Sequence, residues 1–228
     1  MFNTKDTKRA IIFVNGHLPD LEAARRLIRS DDFLIAADGG TRHALALGLL
    51  PSIVIGDLDS MTADDRRRLE GSGVEIRQYP PDKNETDLEL ALRTAIEAGY
   101  RSILVLAALG GRLDQSLGNL ALLTDPSLAE VDVRFDDGIE EAFFVRTQAK
   151  ASPRGASRRV EGRPGDTVSL IPWGSPAEGV TTEALRWPLR GETLYPDKTR
   201  GISNEMLSET ASVAVRSGLL LIVHRRSS

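Results

Sequence analysis

The stretch Pro51-Ser-Ile-Val-Ile-Gly-Asp-Leu-Asp-Ser60 runs from three apolar residues into a glycine and two carboxylates. Ile53 to Ile55 has the continuous apolar character of a short buried strand, and Gly56 lets the chain turn sharply at its carboxyl end. Asp57 and Asp59 follow at once. With extended backbone, residues two apart point to the same side, which predicts that both carboxylates face one crevice. Like charges that close repel unless a cation sits between them, and hard oxygen ligands suit Mg2+. Taken alone, the stretch also reads as an ordinary strand-to-helix turn in which Asp59, Ser60 or Thr62 caps the next helix.

The same pattern repeats on either side. Towards the N-terminus, Phe33 to Ala37 predicts a strand ending in Asp38-Gly39-Gly40, followed by a helix over Thr41 to Leu47. Before it, Ala10 to Val14 predicts a strand ending in Asn15-Gly16, and Leu21, Ala24, Leu27 and Ile28 recur at helical spacing. Towards the C-terminus comes a helix over residues 62–70, with Thr62 three residues before Asp65 as a variant capping box, then a strand over Val74 to Tyr79. A polar loop from Pro80 to Glu85 leads at Thr86 into a helix with Leu88, Ala91, Leu92, Ala95 and Ile96 on one face, ending at Gly99. Ile103 to Ala107 is the most apolar strand and runs into Gly110-Gly-Arg-Leu-Asp-Gln115, then a helix with Leu117, Leu120, Ala121 and Leu123; Val131 to Phe135 reads as a sixth strand. Strict alternation with continuous apolar strands predicts an α/β domain. Its parallel sheet should be covered on both faces and bind ligands outside the strands' carboxyl ends.

Near residue 140 the pattern changes, and the domain boundary is placed between residues 138 and 139. Ala149 to Gly165 is rich in Arg, Ser, Gly and Pro and reads as a linker, with Lys150, Arg154, Arg158, Arg159 and Arg163 as solvated loop residues. Beyond it come short runs at Val168 to Ile171, Val180 to Thr182, Leu185 to Leu189, Ala211 to Arg216 and Leu219 to His224, which predict an all-β domain; Ser217-Gly218 reads as a hairpin turn.

Composition limits the chemistry. With 228 residues and a hydrophobic fraction of 41%, the chain can bury a sizeable core. Its 29 Lys and Arg against 33 Asp and Glu give a net charge of -4, which favours neither nucleic acid nor an acidic membrane surface as partner. The absence of cysteine removes disulfides, thiolate metal sites and thiol nucleophiles. No apolar run approaches bilayer length and Met1 to Arg9 lacks a signal-peptide core, so a cytoplasmic protein is expected.

Four acidic turns fall at corresponding places: Asp38, Asp57 with Asp59, Asp87 and Asp114. In a parallel sheet those places share one edge. Gly39, Gly40, Gly110 and Gly111 let backbone N–H groups approach a phosphate, and Lys83 and Arg112 are cations to neutralise one. Neither a P-loop nor a GxGxxG pattern is present. The inventory is one for moving a phosphoryl or larger phosphate group.

The ordered set Asp38-Gly-Gly, Gly56-Asp-Leu-Asp-Ser60, Lys83-x-x-Thr86-Asp87, Gly110-Gly-Arg-x-Asp114-Gln115, Ser169-Leu-Ile-Pro172, Leu185-Arg-Trp-Pro-Leu189 and Ser203-Asn204-Glu205 resembles the thiamine pyrophosphokinase family from about residue 11 to the C-terminus. The resemblance implies a three-layer α/β catalytic domain over residues 1–138, a thiamine-binding and dimerising β-sandwich over 139–228, and a homodimer with active sites between subunits. It implies transfer of a diphosphate from ATP to the hydroxyethyl oxygen of thiamine, with Mg2+ at Asp57, Asp59 and Asp87. By the same resemblance Asp38, Gly39, Gly40, Thr86, Gly110, Gly111, Arg112 and Asn119 bind ATP. Lys83, Arg112 and Asp114 join the three metal carboxylates in catalysis. Thiamine would meet Gln115, Trp187, Ser203 and Asn204, with Trp187 stacked on its pyrimidine. Two positions depart from the family pattern. Gln115 stands where many bacterial relatives have His, and Ala184 where a Gly commonly precedes the Leu-x-Trp motif.

Asp59, Asp87 and Asp114 are all candidates to accept the alcohol proton. Two other readings share these residues: a pyrophosphokinase for another heterocyclic alcohol such as a hydroxymethyl-pterin, and a non-catalytic nucleotide or thiamine diphosphate sensor.

Overall fold

A computed structural model describes residues 8–147 and 155–227. The chain divides into two compact units, Met1–Gly138 and Ile139–Ser228. In the first, β1 (Arg9–Phe13), β2 (Phe33–Ala37), β3 (Ile53–Gly56), β4 (Glu75–Gln78), β5 (Ser102–Leu106) and β6 (Asp132–Asp136) alternate with α1 (Leu21–Leu27), α2 (Thr41–Ala46), α3 (Ala63–Leu69), α4 (Asp87–Glu97) and α5 (Leu113–Leu122). The strands lie in the order β4-β3-β2-β1-β5-β6 and every pairing is parallel. The order reverses between β1 and β5, so the crevice at their carboxyl ends is the natural ligand site of such a sheet.

Side-chain alternation sends Ile11 and Phe13 of β1, with Leu104 and Leu106 of β5, towards Ala44, Leu27 and Ile28, while α4 packs against β1, β2 and β3. The helices begin where their caps dictate. Asp20 accepts from Ala23 N at 2.9 Å, Thr62 from Asp65 N at 3.1 Å and Thr86 from Glu89 N at 3.2 Å. Thr62 and Asp65, the predicted capping-box pair, meet side chain to side chain, the Thr62 hydroxyl donating to Asp65 Oδ2 at 2.7 Å.

The second unit holds β7 (Glu140–Arg146), β8 (Ala156–Glu161), β9 (Thr167–Pro172), β10 (Ala177–Glu183), β11 (Arg190–Leu194), β12 (Asn204–Glu205), β13 (Thr210–Val215) and β14 (Leu219–Arg225). They form two antiparallel layers, β12-β9-β14-β7 and β11-β10-β13-β8. Phe143, Leu170 and Ile222 from one layer pack with Val160, Val180 and Val213 from the other in a single core, which makes this unit a sandwich.

Four readings of this half are corrected. Residues 156–161 are strand β8 rather than linker, because they pair with β13 along their whole length and leave Arg159 exposed on the strand; Lys150 and Arg154 lie outside the described residues. Leu185 to Leu189 is not a strand: Leu185 makes one bridge to Met206, Pro188 has no N–H to give, and β11 starts only at Arg190. The unpredicted β7 is buried from Glu141 to Val145, so it shows no alternation to read. Ser217-Gly218 carries the chain from one layer to the other instead of closing a hairpin, since β13 and β14 pair with different strands. No helix among the described residues is long and apolar enough to cross a membrane.

Candidate active site

Gly56 ends β3 at φ +153°, and a Cβ there would lie 2.7 Å from Asp38 Cβ and 3.3 Å from Asp87 Cγ. A glycine is therefore what lets three carboxylate-bearing segments converge. The backbone beyond it is not extended as the spacing suggested. Leu58 adopts φ +68° with its side chain buried, and Asp59 N donates to Asp57 Oδ1 at 3.2 Å, so a tight turn, not a pleat, swings the two carboxylates together. Asp38 is also left-handed at φ +41°. Each such non-glycine residue costs about 1–2 kcal/mol, and two of them flanking one cluster mark stored strain at a functional site.

Carboxylate oxygens of Asp38, Asp57 and Asp59 lie within 4.8 Å of one another. Asp38 is buried and its Oδ1 meets no hydrogen-bond donor, an expensive state for a carboxylate oxygen unless a cation satisfies it. Three hard oxygens of this geometry, partly open on the Asp59 side, fit Mg2+ with some of its water retained. Asp87, expected among the metal carboxylates, has its Oδ1 3.0 Å from Lys83 Nζ. The contact is an ion pair between two partly buried side chains. Burial raises the Asp87 pKa against the opposing pull of Lys83, with Asp38 and Asp57 adding repulsion. Burial alone would lower Lys83, but Asp87, Asp57 and Asp38 outweigh it and keep the ammonium protonated. Thr86 caps α4, which fixes where Asp87 starts.

After β5, Ala107 takes φ +57°, and Gly110 and Gly111 take φ +83° and +72°. Arg112 forks onto Asp114, both well exposed. That pairing lowers the Asp114 pKa and makes it a poor proton acceptor. Gln115 is exposed beside them, whereas Asn119 is buried and donates to Ala108 O at 2.7 Å, so it anchors this loop from below.

The segment Asn15-Gly16-His17 was not among the expected site residues. Gly16 N and His17 N donate to Ala107 O and Leu109 O at 2.8 and 2.9 Å, tying the loop after β1 to the loop after β5. Asn15 fills the space over Gly39, and His17 that over Gly110. Its signal in the sequence was Asn15-Gly16 at the same strand-end position as the acidic turns.

In the second unit Trp187 is 50% exposed rather than part of the core. Asn204 clamps its main chain, accepting from Trp187 N at 3.0 Å and donating to Trp187 O at 2.7 Å. Arg186 lies over the indole at 5.2 Å and pairs with Glu205 at 2.9 Å, covering one ring face. Ser203 takes φ +58° with its N–H on Ser169 Oγ at 3.0 Å. Ala184 has φ +59°, the physical reason a glycine suits that position.

Residues 24–135 match the family model described as "Thiamin pyrophosphokinase, catalytic domain", and residues 157–220 the one described as "Thiamin pyrophosphokinase, vitamin B1 binding domain". The chain belongs to the thiamine pyrophosphokinase family. Its enzymatic function is thiamine pyrophosphokinase activity. It is similar to thiamine pyrophosphokinase of Bacillus subtilis (strain 168), 28% identical over 189 residues that cover 83% of this chain and 85% of that relative. Thiamine pyrophosphokinase 3 of Oryza sativa subsp. japonica is 26% identical over 234 residues, covering 93% and 85% of the two chains. The fold matches the crystal structure of thiamine pyrophosphokinase from Bacillus subtilis with a TM-score of 0.84 at 24% identity, over 97% of this chain and 100% of that one. Within the family match, the carboxylate cluster falls in the catalytic segment, and Trp187 with Asn204 in the vitamin-binding one.

Proposed function

We propose that the cluster of Asp38, Asp57 and Asp59 is where ATP gives its β,γ-diphosphate to the hydroxyethyl oxygen of thiamine, leaving AMP. The observation that carries this reading is the meeting of those three carboxylates, one with an orphaned buried oxygen, at the carboxyl ends of β2 and β3. Mg2+ held there by Asp38, Asp57 and Asp59, with Asp87 lending charge across Gly56, would neutralise the triphosphate and polarise its β-phosphorus. Lys83 and Arg112 supply cations for the transferring group, and the turns at Gly39-Gly40 and Gly110-Gly111 lie at strand ends where ATP would sit, Gly110 N being held by Ser116 Oγ at 3.1 Å.

The new bond joins the thiamine oxygen to the β-phosphorus, the bond from that phosphorus to the bridging oxygen of AMP breaks, and the alcohol proton leaves to a carboxylate. Arg112 lowers the Asp114 pKa, whereas burial raises that of Asp87 even against its ion pair with Lys83, so Asp87 has a better claim than Asp114. Trp187, half exposed, takes the flat aminopyrimidine rather than the cationic thiazolium, since Arg186 already lies over the ring as a cation. The active unit is a cytoplasmic homodimer. In the second unit Trp187, Ile202 and Leu207 are exposed apolar surface of the kind a subunit interface or ligand covers.

The test is to incubate the protein with Mg2+, ATP and thiamine and follow AMP and thiamine diphosphate together. Equal yields support the reading. ADP in place of AMP would sink it, and turnover of a hydroxymethyl-pterin but not thiamine would reassign the acceptor.

A further inference from the structure

His224 is fully buried on β14, between two acids from separate elements. Its Nε2 donates to Asp166 Oδ2 at 2.9 Å, and its Nδ1 faces Glu141 Oε2 on the neighbouring strand β7 at 3.7 Å. Asp166 is saturated: Arg163 N donates to Oδ2 at 2.9 Å, and Ser227 N and Oγ donate to Oδ1 at 2.7 and 2.8 Å. Gly162 closes the pocket, since a Cβ there would meet Asp166 Oδ2 at 2.5 Å and His224 Nε2 at 2.8 Å. A hydrogen-bonded ion cluster of this kind is far more than the sandwich needs for stability, because an apolar residue of equal volume would serve the core as well.

The main chain of the same turn leads towards Trp187. Met206 N donates to Asp166 O at 2.8 Å and Gly165 N to Met206 O at 2.9 Å. Met206 bridges Leu185, Leu207 N donates to Ala184 O, and Arg186 N donates to Glu205 O. Asn204, on the same short strand β12, clamps Trp187. The side chain of Asp166 thus holds a turn whose carbonyl holds the strand that holds the indole.

We propose that His224 is a positioning residue for the thiamine site, its imidazolium between Asp166 and Glu141 fixing the 162–166 turn and, through Met206 and Asn204, the seat of Trp187. The inference rests on the reading of Trp187 as the thiamine-stacking residue. The groups facing the ring are Asp166 and Glu141, with Arg226 the nearby opposing charge. Burial works to lower the His224 pKa, and the two carboxylates overcome it and raise it above its ordinary value. The arrangement therefore loosens as pH climbs through that raised value, when the ring loses the charge that draws in both carboxylates.

The experiment compares wild type with His224→Gln across neutral and alkaline pH, measuring KM for thiamine, KM for ATP and kcat. It also follows Trp187 emission in a Trp173→Phe background, where it is the sole tryptophan. At neutral pH the variant should raise the thiamine KM about tenfold, the effect of one lost charged hydrogen bond, and leave the ATP KM and kcat within about twofold. In wild type the thiamine KM and the Trp187 emission should change together as pH rises, while the variant stays flat in both. Equal increases in both KM values, or an unchanged thiamine KM, would overturn the proposal. If the variant does not fold, the wild-type emission titration decides alone, and an emission indifferent to pH refutes the coupling. An unaltered thiamine KM in Trp187→Ala would instead refute the stacking reading, with the emission titration still testing His224.

Discussion

Asn204 grips the main chain of Trp187 from both sides, its Oδ1 taking the Trp187 N–H at 3.0 Å and its Nδ2 reaching the Trp187 carbonyl at 2.7 Å. The same Oδ1 accepts Glu205 N at 2.9 Å. An amide is the one neutral side chain that can donate and accept at this spacing, so the half-exposed indole is fixed by a residue that need not touch the ligand. Asn204→Ala leaves those main-chain groups short of partners and should cost about 1–3 kcal/mol of stability. Thiamine affinity should fall with it while ATP affinity holds. Calorimetric binding of each ligand checks this, and parallel losses would count against it.

Asp57→Asn keeps the shape of the turn and its hydrogen bond to Asp59 N but removes one of three charges from the cluster. Turnover should drop by about a thousandfold, in line with the several kcal/mol a bound cation contributes to phosphoryl-type transfer. The thermal midpoint should hold or rise slightly, because repulsion among the carboxylates is relieved. AMP formation and a melting curve test both halves, and full activity would take Asp57 out of the site.

Gly40 is the N-cap of α2 at φ -61°, a backbone conformation that alanine also adopts. Packing opposes it, since the new Cβ would lie 2.0 Å from Phe13 O, a backbone atom of the central strand that cannot give way. Gly40→Ala should therefore destabilise by roughly 2 kcal/mol or more. Denaturant unfolding measures it. A neutral or stabilising effect would mean that Gly40 serves only phosphate approach.

Asp166 sits at a pKa of about 2, where hydrogen bonds from Ser227, His224 and Arg163 prevail over burial. A carboxyl depressed on folding stabilises the native state above its unfolded value, and that contribution disappears as pH falls through the folded one. Between about pH 4 and 2 wild type should lose on the order of 2 kcal/mol through this group, a loss that Asp166→Asn would no longer show. Urea midpoints over that range, compared between the two proteins, test the claim; identical slopes would refute it.

The runs at β1, β2, β3 and β5 were legible because buried parallel strands are continuously apolar. Ile53 to Ile55, Phe33 to Ala37 and Ile103 to Ala107 fall within a residue of the observed strands. The family motifs were legible for the same local reason, as short fixed spacings around Asp57, Lys83 and Trp187. The second unit was harder. Its β8 is rich in arginine, and β7 has no alternation, because what makes each a strand is a partner distant in sequence, β13 for one and β14 for the other.

By itself, then, the sequence determined the α/β alternation, the acidic turns at the strand ends, the change of architecture near residue 140 and the family to which the motifs belong. Only tertiary structure decided which carboxylates meet. Asp38 joins Asp57 and Asp59 because Gly56 permits the approach and Leu58 turns left-handed, whereas Asp87 comes to rest against Lys83. It also decided that Asn119 anchors a loop, that Asn204 holds Trp187, and that His224 lies between two acids from other elements. Spacing along a chain fixes which side chains share a turn or a face; which faces meet depends on contacts between residues far apart in sequence, and no local pattern carries those.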